Sequence, residues 1–430
     1  MKEPLMLDQT FQDILNELEN NHHHYFITGK AGTGKSTLLQ LFRKTTKKKV
    51  VVLSSTGISA LNVQGQTIHS FFQFPPKLLL PKELFIVRRL VNLLKAVEVI
   101  IIDEISMVRA DVMDAIDVSL RMHRHSVEPF GGVQMILFGD LFQLPPVVSS
   151  QEEKQYFSTV YPNQYFFSAF VFQSKASLEK IELTKVYRQN ERHFIRLLDA
   201  IRTLQFDYDD LDMLNERYLP DAIIEEPFLT LCSINALANQ INAQRLSAID
   251  QPSVFFEADV KGDFNPKLYP TDYRLELKKH AQVILVRNDP EKRFVNGSLA
   301  TIVDLNPESI VVQFKLDDGK TQNLDLPRMT WELQRYKFSE TPDNPIQSEV
   351  TGTFTQYPVR LAWAVTIHKS QGKTYDRVAI DLGRGAFEHG QTYVALSRCK
   401  RLDGVFLKKP LTPKDIMVDD QVVEFYAAMR

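Results

Sequence analysis

The chain has 430 residues, enough for two or three domains. Apolar residues make up 44% and charged residues 24%, with a formal net charge of −2; this is an ordinary globular composition and argues against a protein that coats duplex DNA with basic surface. No apolar run approaches a membrane span, the acidic N-terminal stretch fits neither a secretory signal nor an Arg-rich transit peptide, and Cys232 and Cys399 fit no metal or iron–sulfur spacing, so a cytoplasmic protein with reduced thiols is expected.

Residues 1–28 read as an amphipathic helix carrying Phe11, Ile14, Leu15 and Leu18, followed by a strand that ends at Thr28. The triplet His22-His23-His24 reads as an exposed turn, because three adjacent histidines cannot aim at one ion. A glycine-rich segment, GKAGTGKST (29–37), leads into a helix over 36–43, and the basic run RKTTKKK (43–49) reads as a solvated helix end. Strands are expected at 50–53, 97–102 and 134–138, with a helix over 111–122. These strands are nearly continuous in valine and isoleucine and alternate with helices, the pattern of a parallel sheet covered on both faces. The prolines of FQFPPKLLLPKELF (72–85) suggest a stiff projecting turn.

A second α/β set follows, with strands expected at 228–231, 359–365, 378–380 and 404–407. Inside it, residues 282–350 hold short β-type runs, and Asp318-Gly319 signals a hairpin. The expected organisation is a first lobe over 1–175, a second over 176–430, and a small all-β insertion over 282–350.

Gly29 to Ser36 matches G-x-x-x-x-G-K-[ST] in full, between a strand and a helix. Gly29, Ala31, Gly32, Thr33, Gly34 and Thr37 form or flank a loop whose amides wrap phosphate, aided by the helix dipole. Lys35 would reach the β- and γ-phosphates, and Ser36 would hold Mg²⁺. Asp103 and Glu104 end an apolar strand, where ligands of open α/β sheets bind; Asp103 suits Mg²⁺, and Glu104 suits orienting or deprotonating water. Gln143 follows the strand at 134–138 and could sense the γ-phosphate. Arg188 and Arg398 are candidate cations for the charge that develops on the phosphoryl group. At this level a helicase, a phosphotransferase and a slow nucleotide switch all remain open.

Longer strings narrow the choice. SSTGISALNVQGQTIHSFF (54–72), IIIDEISMV (100–108), PFGGVQMILFGDLFQLPPV (129–147), ELTKVYRQN (182–190), VNGSLATI (295–302), LAWAVTIHKSQGKTYDRVAIDLG (361–383) and YVALSRCKRLDGV (393–405) span nearly the whole chain. With FQDIL (11–15) and GKAGTGKST, they resemble the Pif-type (petite-integration-frequency) branch of superfamily 1B DNA helicases, relatives of the RecD-type enzymes. The resemblance implies two tandem RecA-like P-loop NTPase lobes with an SH3-like insertion in the second. It implies ATP-driven 5′-to-3′ movement on single-stranded DNA, with unwinding of forked or partial duplexes, G-quadruplexes and RNA–DNA hybrids. A monomer in solution, pairing on DNA, in a bacterial, nucleoid-associated setting, is the matching expectation.

By position, Gln12 resembles the adenine-reading glutamine, and Arg188 and Arg398 resemble the two arginine fingers. Gln371 and Gly372 would sit near the nucleotide. Thr56, His69, Ser70, Asn296, His368, Lys369 and Ser370 resemble strand-contacting positions. Phe71, Phe72, Trp363 and Tyr393 could stack on bases or pack in the core. The 72–85 turn would be the duplex-parting wedge, and 111–133 occupies the place of the branch's signature region.

Overall fold

The computed structural model describes residues 9–148, 150–174, 176–219, 228–315, 320–341 and 344–429. Six strands, β1 (His24–Gly29), β2 (Val50–Ser54), β3 (Gln66–Thr67), β4 (Val99–Asp103), β5 (Gln134–Phe138) and β6 (Leu178–Leu183), form one parallel sheet in the order β3-β2-β4-β5-β1-β6. On one face Phe11, Ile14 and Leu18 of helix Gln9–Asn20 and Leu38, Leu39 and Phe42 of helix Lys35–Thr45 pack against Ile101 and Ile136. On the other, Met113, Ile116 and Leu120 of helix Ala110–Arg124 pack against Ile100, Ile102 and Leu137. Covering both faces is why these strands carry no polar alternation.

β6 pairs with β1 from His24↔Leu178 to Gly29↔Leu183, so the first-lobe sheet runs on to residue 183, past the expected boundary at 175. Its sequence, LEKIEL, has the half-polar look of an edge strand, which hides its membership. His24 is the first residue of β1 rather than part of a turn, and its Nδ1 accepts the Met135 amide at 3.1 Å. In the basic run, Arg43 donates to the carbonyls of Val63 and Gln64, and Lys48 to those of Leu18 and Asn21.

Helix Ala110–Arg124 presents three buried carboxylates at successive turns, Asp111, Asp114 and Asp117. Each takes the backbone amide of a different segment: Leu79 (2.9 Å), Phe170 and Val171 (3.0 and 3.1 Å), and Phe130 (2.7 Å). Two residues past the 72–85 turn, the Val87 amide donates to His123 of the same helix at 2.9 Å. The second half of the projecting turn is therefore held between anchors at Leu79 and Val87, with Phe85 73% exposed between them.

The second lobe holds a parallel sheet of Ala364–Thr366, Leu229–Cys232, Val378–Asp381 and Val405–Leu407, in that order. Antiparallel strands run from Val254 to Leu361, a wider span than 282–350, in sheets of five, three and two strands. Asp318-Gly319 lies outside the described residues; the strands beside it, Ser309–Lys315 and Thr321–Asp325, do pair antiparallel. The run expected as one strand over 359–365 is two. Val359–Leu361 joins the β-module and Ala364–Thr366 joins the parallel sheet. Between them Asn242 Oδ1 accepts the amides of both Trp363 and Ala364, at 3.0 and 2.9 Å, satisfying the backbone where the chain changes sheets.

Two segments cross back to the first lobe. In the hairpin of Met329–Phe338 and Ile346–Gln356, Tyr336 donates its amide to Gln66, accepts the Val52 amide on its hydroxyl, and sets its ring edge-on to Phe71. Helix Asp420–Ala428 buries Val422 in the first-lobe core and stacks Phe425 on Phe167 at 4.0 Å.

Candidate nucleotide site and strand groove

β4, β5 and β1 are neighbours, so the segments leaving their C-terminal ends converge. They line a cavity of about 530 Å³ with the helix N-terminus at Lys35. Ala31, Gly32, Thr33, Gly34, Lys35, Ser36, Thr37, Asp103, Glu104 and Gln143 line it from the first lobe. Gly372 and Arg398 line it from the second, and Arg188 from the connector that follows β6.

The loop's shape requires its glycines. Gly32 has φ +85°, and a Cβ there would stand 2.4 Å from Arg188 Cβ. Its carbonyl accepts the Tyr187 amide at 2.8 Å, which locks the connector onto the loop. The Lys35 ammonium donates to the carbonyls of Gly29 and Lys30. Burial pulls its pKa below the usual lysine range, while Asp140 and Glu104 oppose that shift.

Glu104 has left-handed backbone, φ 53° and ψ 49°. Burial raises its pKa, and burial followed by repulsion from Glu104 pushes Asp103 up to about 7. Gln371 of the second lobe bridges to this side: its Nε2 lies 3.2 Å from Glu104 Oε2 and 3.3 Å from Gln143 Oε1. Arg398 is almost fully buried, yet oxygens of Val394, Ser370, Lys373 and Ser397, not carboxylates, receive its hydrogen bonds. Burial and then the nearby Arg188 push its pKa down, opposed by Glu104. Two guanidinium groups and an ammonium around one cavity make a site for a strongly charged anion. Among the described residues no three His, Cys, Asp or Glu side chains cluster as metal ligands. A divalent cation here would use Ser36, Asp103 and the phosphate oxygens, a mixture that suits Mg²⁺.

A second cavity, about 460 Å³, lies between helix Gly57–Asn62 of the first lobe and the second lobe. Arg360, Lys369, Lys373, Asn62, Asn239 and Asn296 are among its lining. Burial, then Arg360 and Lys369, pushes Lys373 down to about 8. Arg360 Nε and Asn296 Oδ1 are buried polar atoms without a protein partner. A basic groove with spare hydrogen-bonding groups fits a phosphodiester backbone.

The structure gathers some sequence candidates and disperses others. Thr56 caps helix Gly57–Asn62 by accepting the Ser59 amide. Gln12 is exposed on its helix and does not line the nucleotide cavity, although its neighbour Phe11 touches Gly34. His69 and Ser70 do not line the groove, and Ser70 accepts a hydrogen bond from Gln66. His368 pairs with Glu388 at 3.1 Å. Four candidates lie inside the protein, and for the three aromatic ones that is the core-packing alternative. Phe71 and Phe72 are 2% exposed core rings, and Ser370 is fully buried with its hydroxyl donated to the Ile367 carbonyl, so none offers a free surface to a strand. Tyr393 is buried between the lobes, where it cannot stack on a base.

Sequence reasoning missed Tyr187, 48% exposed at the cavity mouth, with Lys185 Nζ 5.1 Å from its ring centroid. An aromatic next to a candidate arginine finger was the available signal. It also missed Arg202, which pairs with Asp140 in the buried interface between lobes. No local pattern announces that pair. No helix among the described residues is long and apolar enough to cross a membrane.

Residues 6–209 match a family model described as PIF1-like helicase. The ATP-dependent DNA helicase Pif1 of Bdellovibrio bacteriovorus is 31% identical over 429 residues, covering 96% of this chain and 89% of its own. The crystal structure of Bacteroides sp. Pif1 in complex with ADP-AlF4 is 36% identical, with a TM-score of 0.90 over 99% of this chain and 97% of that one. Bacteroides Pif1 bound to ssDNA, 38% identical with the same coverage, gives 0.71. Unliganded Bacteroides Pif1 gives 0.88, so the arrangement is nearer to the strand-free structures than to the strand complex.

Proposed function

Because the chain belongs to the Pif1-like helicase family and is an ATP-dependent DNA helicase, we propose that it moves 5′-to-3′ along single-stranded DNA and parts forked or partial duplexes as it goes. One observation carries the reading. A single cavity collects Lys35, Asp103, Glu104 and Gln143 from one lobe, Arg398 from the other, and Arg188 from the connector between them.

ATP enters with its phosphates on the amides of residues 31–37 and its γ-phosphoryl group toward the arginines. In the transition state charge spreads over the phosphoryl oxygens, and Lys35, Arg188 and Arg398 neutralise it. Glu104 orients the attacking water and takes its proton. Ser36 and Asp103 would hold Mg²⁺, which when bound would neutralise further phosphate charge. Gln143 and Gln371 report whether the γ-phosphate is present. Since Arg398 belongs to the second lobe, ATP favours closed lobes and hydrolysis releases them. The basic groove crosses the same division between lobes, so each closure shifts its two walls along the strand.

Thr56, Asn296 and Lys369 act on the strand, and Phe85 on the anchored turn meets the duplex. G-quadruplexes and RNA–DNA hybrids are further substrates of the same activity, and two copies meet on DNA while the free protein is a monomer. ATP hydrolysis with and without a single-stranded oligonucleotide tests the reading, together with displacement from duplexes bearing 5′ or 3′ overhangs. Strand-stimulated hydrolysis and unwinding from 5′ overhangs alone are expected. Unwinding from 3′ overhangs reverses the polarity. Phosphate transfer to a small acceptor, or slow turnover indifferent to DNA, removes the helicase assignment.

A further inference from the structure

Both lobes converge on one carboxylate, that of Asp140, which is 1% exposed. Its Oδ1 accepts Arg202 Nη2 at 2.9 Å, Arg202 Nε at 3.2 Å and the Phe142 amide at 3.2 Å. Its Oδ2 accepts the Tyr393 hydroxyl at 3.3 Å and Gln143 Nε2 at 3.4 Å. Arg202 belongs to helix Arg192–Thr203, and its guanidinium lies 4.2 Å from the Phe142 ring centroid and 5.5 Å from that of Tyr426. Burial would raise the Asp140 pKa, but Arg202 and then Lys35 outweigh it and keep the group ionised.

The contacts continue in two directions. While donating to Asp140, the Tyr393 hydroxyl accepts the Ala31 amide of the phosphate loop at 2.9 Å. One turn before Arg202, Asp199 pairs with Lys30 of the same loop at 2.9 Å. In the other direction lie Gln143, Gln371 and Glu104. A carboxylate only accepts hydrogen bonds, so Asp140 dictates that the Gln143 amide turns its NH₂ inward. The Gln143 oxygen is thereby left for Gln371.

Stability alone gives little reason for such a pair. Desolvating two charges cancels most of their attraction, and an apolar replacement is often as stable. What the pair supplies is orientation. We propose that Arg202, with Tyr393, is a positioning residue for ATP hydrolysis. Through Asp140 it fixes the Gln143 amide, and through Tyr393 it fixes the loop at Ala31, so that the two parts meeting the phosphates are aligned by the second lobe. This rests on the reading that the cavity hydrolyses ATP.

The test is steady-state ATP hydrolysis with saturating single-stranded oligonucleotide, comparing wild type with Arg202→Gln, Arg202→Lys and Tyr393→Phe. In Arg202→Gln and Tyr393→Phe, kcat should fall about tenfold or more, the scale of a small misalignment, with KM for ATP within about threefold. Arg202→Lys should recover part of the loss. In a Gln143→Ala background, adding Arg202→Gln should cost less than it does in wild type, because the Gln143 branch is shared and only the branch through Tyr393 remains to be lost. A kcat within about twofold of wild type in folded Arg202→Gln, or additive losses in the double variant, overturns the proposal. If Arg202→Gln fails to fold, Tyr393→Phe decides alone, since it removes one hydroxyl and an unchanged kcat there is equally fatal. Absence of strand-stimulated hydrolysis in wild type would instead defeat the proposed function.

Discussion

Glu104 is a non-glycine residue in left-handed backbone, a conformation that costs roughly 1 kcal/mol or more. The sheet holds it there, between Asp103 at the end of β4 and the short helical turn Ile105–Met107, and so aims its carboxylate into the cavity. Glu104→Gln should keep nucleotide binding and lose turnover by about 10²-fold or more, seen by comparing labelled-ADP affinity with steady-state hydrolysis. Normal turnover would remove Glu104 as the base. Arg398→Ala should cut kcat by about 10²–10³-fold if it acts as proposed, because its guanidinium lines the cavity with no carboxylate partner among the described residues. Tyr187→Ala should raise KM for ATP about fivefold with kcat nearly unchanged, since the ring offers a platform at the cavity mouth, worth roughly 1 kcal/mol.

Among the elements, helix Ala110–Arg124 organises the first lobe through polar contacts. Asp114 alone satisfies two backbone amides and the Tyr161 hydroxyl. Asp114→Ala should destabilise the protein by about 2–4 kcal/mol, because it leaves those donors buried and unpaired; urea denaturation measures this. An effect below the stability of one hydrogen bond would mean that water reaches the site. The same helix shows where the sequence was readable. Its apolar spacing predicted a helix over 111–122, but nothing local said that its aspartates receive Leu79, Phe130 and Phe170. The phosphate loop was legible because all its chemistry lies in eight adjacent residues. β6 and the split of 359–365 were not, since strand partners are chosen by distant pairing and residues 359–365 look equally apolar on both sides of the break. Phe71 and Ser370 carried strand-contacting motifs, yet packing turned both inward. Arg202 and Asp140 stand 62 residues apart, beyond any periodicity.

For the whole molecule, the groove and the nucleotide cavity both span the boundary between lobes, as the proposed coupling of strand and ATP requires. Lys373→Ala should weaken single-strand binding and reduce the slope of log affinity against log salt by about 0.7, the share of one phosphate contact on a single strand. An unchanged slope, measured by fluorescence anisotropy over a salt series, would place the strand elsewhere. Within this architecture the stretch that closes the β-module at Leu361 passes straight into the second-lobe sheet and on to Gln371, at the candidate catalytic base. No slack loop intervenes. Asn242 and the sheet pairing of Ala364–Thr366 clamp this short stretch on its way, so the β-module and Gln371 share one rigid mounting.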